Sequence, residues 1–107
     1  MSIRVEPSSI GDQLGDRPYA FVLTTSGDRV HVVSLRPEVT GNVLAFSAVG
    51  RSTKADVEVN PRVTVVWPGS PGTTEHAEYS LIADGRGEVR EGRLLVSIEG
   101  AVLHRPA

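Results

Sequence analysis

The chain has no cysteine. That excludes disulfides, thiolate metal sites and a cysteine nucleophile, and it is compatible with a reducing cytoplasm. It has no excess of positive charge: eleven Lys and Arg against thirteen Asp and Glu give a formal net charge of −2. Nucleic-acid binders usually carry a basic patch or stripe. Here the cations are scattered, so no nucleic-acid partner is expected. Long apolar runs are missing too. The first residues carry Asp12, Gln13 and Asp16 without an apolar stretch, unlike a signal peptide or a membrane span. A chain of 107 residues is expected to form one domain, 1–107, with a core adequate for independent folding. The combined expectation is a soluble, cytoplasmic domain with no membrane partner.

Familiar catalytic signatures are also lacking. The run GRGEVREG at Gly85–Gly92 has two glycines of a dinucleotide fingerprint but not the third at its spacing. There is no Walker A sequence and no G-x-S-x-G elbow. His31, His76 and His104 stand far apart, and none has a second ligand at metal-binding spacing on a helix, so no metal site is expected. A Ser-His-Asp triad is assembled in space, and nothing in the sequence selects one.

What is present reads mainly as strands. Tyr19–Thr25 and Val30–Leu35 are rich in β-branched and aromatic residues, and Ser26-Gly27-Asp28-Arg29 between them has hairpin chemistry. Arg36-Pro37 and Thr40-Gly41-Asn42 bound a turn, after which Val43–Val49 forms a third strand. Arg62–Trp67 is a fourth, alternating with period two between Pro61 and Pro68. After a polar loop at 70–76, AEYSLIADGRGEV is a fifth strand, in which Gly85 and Gly87 suggest a bulge or sharp bend. Leu94 to about His104 completes six. With an N-terminal helix or arm over residues 1–16, this is a mainly β, antiparallel barrel or sandwich with one or two short helices.

Residues 53–60 fit a meander poorly. Thr53 and Asp56 loosely match a capping box, and Asn60-Pro61 would stop a helix of about two turns. Val57 and Val59 alternate with Glu58, so a strand competes. On the helical reading Lys54 is the first helical residue. A cation beside the positive end of the dipole is unfavourable by up to ~1 kcal/mol unless an anion sits there. Arg51, Ser52, Thr53 and Lys54 could together hold a phosphate; solvated surface cations are the plain alternative. His31, Ser34 and Ser47 could border a flat ligand or be ordinary strand residues. Trp67, the single tryptophan, reads as a core or interface anchor before a ring stacker.

A hairpin, a strand ending in small polar residues, the turn Gly50-Arg51-Ser52-Thr53-Lys54, a short helix and then NPRVTVVW together resemble the pyridoxamine 5′-phosphate oxidase-like superfamily. The likeness spans Tyr19 to Val89, and the ending AVLHRPA resembles small actinobacterial members. It implies a six-stranded split β-barrel binding FMN, or the deazaflavin F420. It places the cofactor phosphate on Arg51 and Lys54, with Ser52 and Thr53 as auxiliary donors. It lays the ring and ribityl chain along His31, Val32, Val33 and Ser34, and adds Ser47 and Ala48 at the next strand end. It further implies a homodimer with cofactor sites at the interface, acting as an oxidoreductase on a small-molecule substrate. No side chain is assigned a catalytic role. True pyridoxamine phosphate oxidases have a longer C-terminal region and adjacent cations in the basic turn. Pyridoxal phosphate synthesis is therefore not expected, and the cofactor could differ or be absent. The alternatives are a non-catalytic flavin- or haem-binding carrier and a ligand-free structural dimer.

Overall fold

Short turns set the register of the sheet. In the computed structural model, which describes residues 2–15, 17–72 and 75–106, Ser26 pairs with Arg29 around Gly27-Asp28, with Gly27 at φ 62°. Arg90 pairs with Arg93 around Glu91-Gly92, whose φ values of 52° and 77° are those of a type I′ hairpin turn. The elements in chain order are β1 (Ser2–Val5), a 3-10 helix (Pro7–Gln13), β2 (Ala20–Ser26), β3 (Arg29–Leu35), β4 (Glu38–Thr40) and β5 (Val43–Phe46). They continue with α1 (Arg51–Val59), β6 (Arg62–Trp67), β7 (Ser80–Arg90) and β8 (Arg93–His104).

All eight strands join one antiparallel sheet, ordered β3-β2-β6-β7-β8-β5-β4, consistent with a split barrel. Strand β8 is the seam. Its first half pairs with β5 (Leu94–Ser97), and its second half pairs along the same side with β1 (Ala101–His104).

Among the described residues there are eight strands where the sequence suggested six. The added strands are β1, read there as part of a helix or arm, and β4, read as a turn. Both are too short, at four and three residues, to carry a periodic signal. Each is held by the ladder of its neighbour, β8 or β5. The helical part of the N-terminal arm is the 3-10 helix, which starts at Pro7 and buries Ile10 completely. Parts of the expected arm and of the 70–76 loop (Met1, Asp16, Thr73 and Thr74) lie outside the described residues.

Strand alternation builds the interior. Val22, Val65 and Ala83 stand opposite one another on β2, β6 and β7 and are fully buried, with Trp67, Phe46 and Leu44 filling the same core. On β8 the inward positions run 94, 96 and 98, then slip to 101 and 103. The slip lies opposite Asp84/Gly85, and the extra residue is Glu99, so the bulge is carried by β8 and not by the glycine-containing β7 where the sequence suggested it. Gly85 is needed there because a Cβ would stand 2.2 Å from the Ser97 carbonyl oxygen.

Candidate functional site

Residues 51–59 are helical, which resolves the competition with a strand. A helix separates Val57 from Val59 by about 200°. Val57 is accordingly buried at 3% exposure while Val59 is 87% exposed. The helix begins earlier than the capping box implied. Gly50 is the N-cap, with φ −71° and ψ 164°, and no side chain caps the first turn. Arg51 therefore takes the first helical position and Lys54 the fourth, with the Lys54 N–H donating to the Gly50 carbonyl at 3.2 Å. Thr53 is buried instead of capping, and Asp56 turns to the sheet. The N–H groups of Arg51, Ser52 and Thr53 precede the first helical hydrogen bond and so have no acceptor within the helix. Arg51 and Ser52 are exposed and Lys54 half-buried. Among the described residues neither Arg51 nor Lys54 has a carboxylate within ion-pair distance.

Side chains one turn apart dock α1 on the sheet. The buried Asp56 carboxylate accepts the Thr24 hydroxyl at 2.9 Å and His31 Nδ1 at 2.6 Å, both on Oδ2. Asn60 donates from Nδ2 to Thr25 Oγ1 at 2.9 Å and accepts the Arg62 N–H at 3.1 Å. On the other flank Val57 lies where a Cβ on Gly87 would be, at 2.9 Å, so the missing side chain lets the helix approach β7.

The polar contacts to Asp56 were missed at the sequence level, although a trace exists. In β2 the inward positions are Ala20, Val22 and Thr24, so Thr24 is a hydroxyl in a core phase. Asp56 adjoins Val57 on the buried face of α1. A carboxylate only accepts hydrogen bonds, so the His31 Nδ1 carries the proton given to Asp56. The Nε2 edge of this ring, whose side chain is 39% exposed, has no partner among the described residues.

The remaining sequence-derived positions divide. His31 and Val33 pair with the buried Thr24 and Val22 and face inward with them. Val32 and Ser34 pair with Leu23 and Phe21 and face the outer side. Strand β5 ends at Phe46, leaving Ser47 and Ala48 exposed in the bend that leads to α1. Trp67 is 1% exposed and belongs to the core.

The outer side carries an apolar row across four strands, Phe21–Val66–Ile82–Val102, with Val30 and Val32 of the free edge strand 60% and 55% exposed. Three clefts among the described residues lie away from these positions. One of about 100 Å³ is lined by Gln13, Leu14, Arg17, Gly72 and Ala77, among others. Its Arg17 guanidinium donates to four carbonyls, those of Gln13, Trp67, Pro68 and His76, at 3.1–3.3 Å. Desolvation lowers the Arg17 pKa from its ordinary value. The role of Arg17 is to tie the 3-10 helix to the loop after β6. Among the described residues no group of three or more His, Cys, Asp or Glu could hold a metal, and no helix is long and apolar enough to cross a membrane.

No protein-family model matches the chain. No curated protein matches it. Solved structures do. An FAD-binding protein from Mesorhizobium loti shares 16% identity over 95% of this chain and 94% of its own, with a TM-score of 0.68. A candidate pyridoxamine 5′-phosphate oxidase from Listeria innocua shares 16% over 88% and 92%, at 0.63. An FAD-binding protein from Mycobacterium smegmatis shares 18% over 97% and 100%, at 0.61. At such identities the likeness is one of fold alone.

Proposed function

We propose that this split barrel binds a flavin, FMN in the first place and F420 as the alternative, and that it serves as an oxidoreductase acting on a small-molecule substrate. The observation that carries the reading is the start of α1. It is uncapped, has first-turn N–H groups without an acceptor in the helix, holds Arg51 and Lys54 without carboxylate partners among the described residues, and lies in a fold shared with proteins named as FAD-binding. On this reading the Arg51 guanidinium, the Lys54 ammonium, the Ser52 hydroxyl and the first-turn N–H groups hold the phosphate. Buried Thr53 contributes its N–H rather than its hydroxyl. The β3 wall (His31, Val32, Val33, Ser34) and the bend at Ser47 and Ala48 border the ring and ribityl chain, with backbone groups serving where side chains turn away.

A flavin supplies hydride transfer when bound; the chain supplies anchoring and orientation. The apolar outer row with Val30 and Val32 supports a homodimer, because a second copy would cover it and wall an otherwise open site. The reading is tested by the visible spectrum of the purified protein and by titration with FMN and F420. Lys54→Ala is expected to weaken cofactor binding by ~1–3 kcal/mol. A colourless protein that binds neither cofactor would overturn the reading.

A further inference from the structure

Strand β3 lies at the edge of the sheet, and among the described residues it pairs with β2 alone. The hairpin fixes which of its backbone groups are used. With two residues in the turn, Ser26 and Arg29 form a hydrogen-bonded pair, and such pairs recur at every second position. His31, Val33 and Leu35 therefore bond to β2. The N–H and C=O groups of Val30, Val32 and Ser34 point to the open side, where no other described backbone group meets them.

Edge strands are usually short, charged, bulged or interrupted by proline, which keeps other strands away. Two other edge strands follow that rule. Strand β4 has three residues, starts at Glu38 and follows Pro37; β1 has four and carries Arg4. Strand β3 breaks it. It is seven residues long, has an uninterrupted register, and contains no carboxylate, lysine or proline. Its outer side chains Val30 and Val32 are 60% and 55% exposed.

We propose that β3 is completed by the β3 of a second copy of this chain, in an antiparallel ladder with Val32 on the two-fold axis. The strand is complementary to itself in that register. Val32 faces its own counterpart, and Val30 faces Ser34 of the partner subunit, so the open N–H and C=O groups of all three residues find partners. The pairing uses the whole strand, and Pro37, which has no N–H, ends it. It also brings Asp28, at the tip of one hairpin, beside Arg36 of the partner subunit, twice by symmetry. Both residues are exposed, and among the described residues neither has an ion-pair partner in its own chain. Sliding the ladder by two residues sets Asp28 against Ser34 in one direction and against Glu38, a like charge, in the other. On the flavin reading the backbone of this strand also serves the ring. The ladder is therefore an arrangement of the flavin-free chain, distinct from a dimer that covers the outer row, and it does not depend on that reading.

The experiment is sedimentation velocity on the full chain over a range of concentrations, after dialysis to remove any bound flavin. Wild type is compared with Ser34→Pro, Asp28→Arg, Arg36→Asp, the double charge reversal, and Val102→Lys in the outer row. The Ser34 N–H faces away from β2, so proline there removes two donors from the ladder and none from the fold. Ser34→Pro is expected to weaken self-association about tenfold or more. Each single charge reversal should weaken it about fivefold, and the double reversal, which restores opposite charges, should recover most of the loss. Val102→Lys should associate like wild type. Asp28 and Arg36 are exposed, so their reversals test the ladder even where Ser34→Pro fails to fold. A wild type that stays monomeric at every concentration overturns the proposal. A double reversal no better than either single one also overturns it. So does association lost in Val102→Lys and unchanged in the other variants, which would assign the contact to the outer row. No flavin enters these assays, so their failure leaves the flavin reading standing.

Discussion

Two glycines close together across the β7/β8 ladder should respond in opposite directions to the same substitution. Gly85 faces the core beside the bulge. A Cβ there would meet Ser97 O at 2.2 Å, Ser97 C at 2.9 Å and Ile98 Cα at 3.1 Å. All three are backbone atoms, so no side chain can swing aside, and the ladder must open by about 1 Å to reach an ordinary C···O contact. Inserting one carbon into a packed interior typically costs ~1–3 kcal/mol. Displacing hydrogen-bonded backbone places Gly85→Ala at the upper end, about 2–4 kcal/mol. Gly100 stands opposite Asp84, on the far side of the bulge, with nothing within 4 Å of its Cβ position. Its φ lies outside the positive region, so Gly100→Ala should stabilise by about 0.5–1 kcal/mol through the entropy of the unfolded chain. For a chain of this length 1 kcal/mol corresponds to about 4 °C. Thermal melts at a single protein concentration should therefore show Gly85→Ala falling by about 8–16 °C and Gly100→Ala rising by about 2–4 °C. A Gly85→Ala variant that melts at or above the wild type would refute the bulge geometry.

The other expectations concern single contacts. Thr24→Val keeps the volume but leaves the buried Asp56 carboxylate with one fewer donor, so urea unfolding should show a loss of about 1.5–3 kcal/mol. An unchanged midpoint would mean that the Thr24 contact contributes nothing. Arg17→Lys replaces a planar fork shared among four carbonyls by a point charge and should destabilise by about 2–3 kcal/mol in the same assay. Glu91 occupies a left-handed conformation, φ 52°, ahead of Gly92. Glu91→Asn gives the Asn-Gly pair that this turn favours and should raise stability by about 0.5–1 kcal/mol; a lower melting temperature would contradict the type I′ assignment.

Much of this molecule is legible in its sequence. The hairpin around Gly27-Asp28, the strand Arg62–Trp67 with period two and the stop at Asn60-Pro61 all follow from local rules, because backbone sterics and side-chain alternation act over a few residues. The mainly β class and the expectation of a basic turn beside a helix rest on the same local signals.

Other features required the tertiary structure. Strands β1 and β4 exist because β8 and β5 offer them unpaired N–H and C=O groups, a demand that their own residues do not announce. The helix start moved from Lys54 to Arg51 because Thr53 and Asp56 are drawn inward. Burial of Thr53 and the bond of Asp56 to Thr24 outweigh the local attraction of a capping box. The meeting of Asp56 with His31 spans 25 positions of sequence, and no periodicity encodes such a distance. Local chemistry determined which residues can form strands, turns and a cationic helix start. The folded sheet alone decided that one histidine should be held by a buried carboxylate.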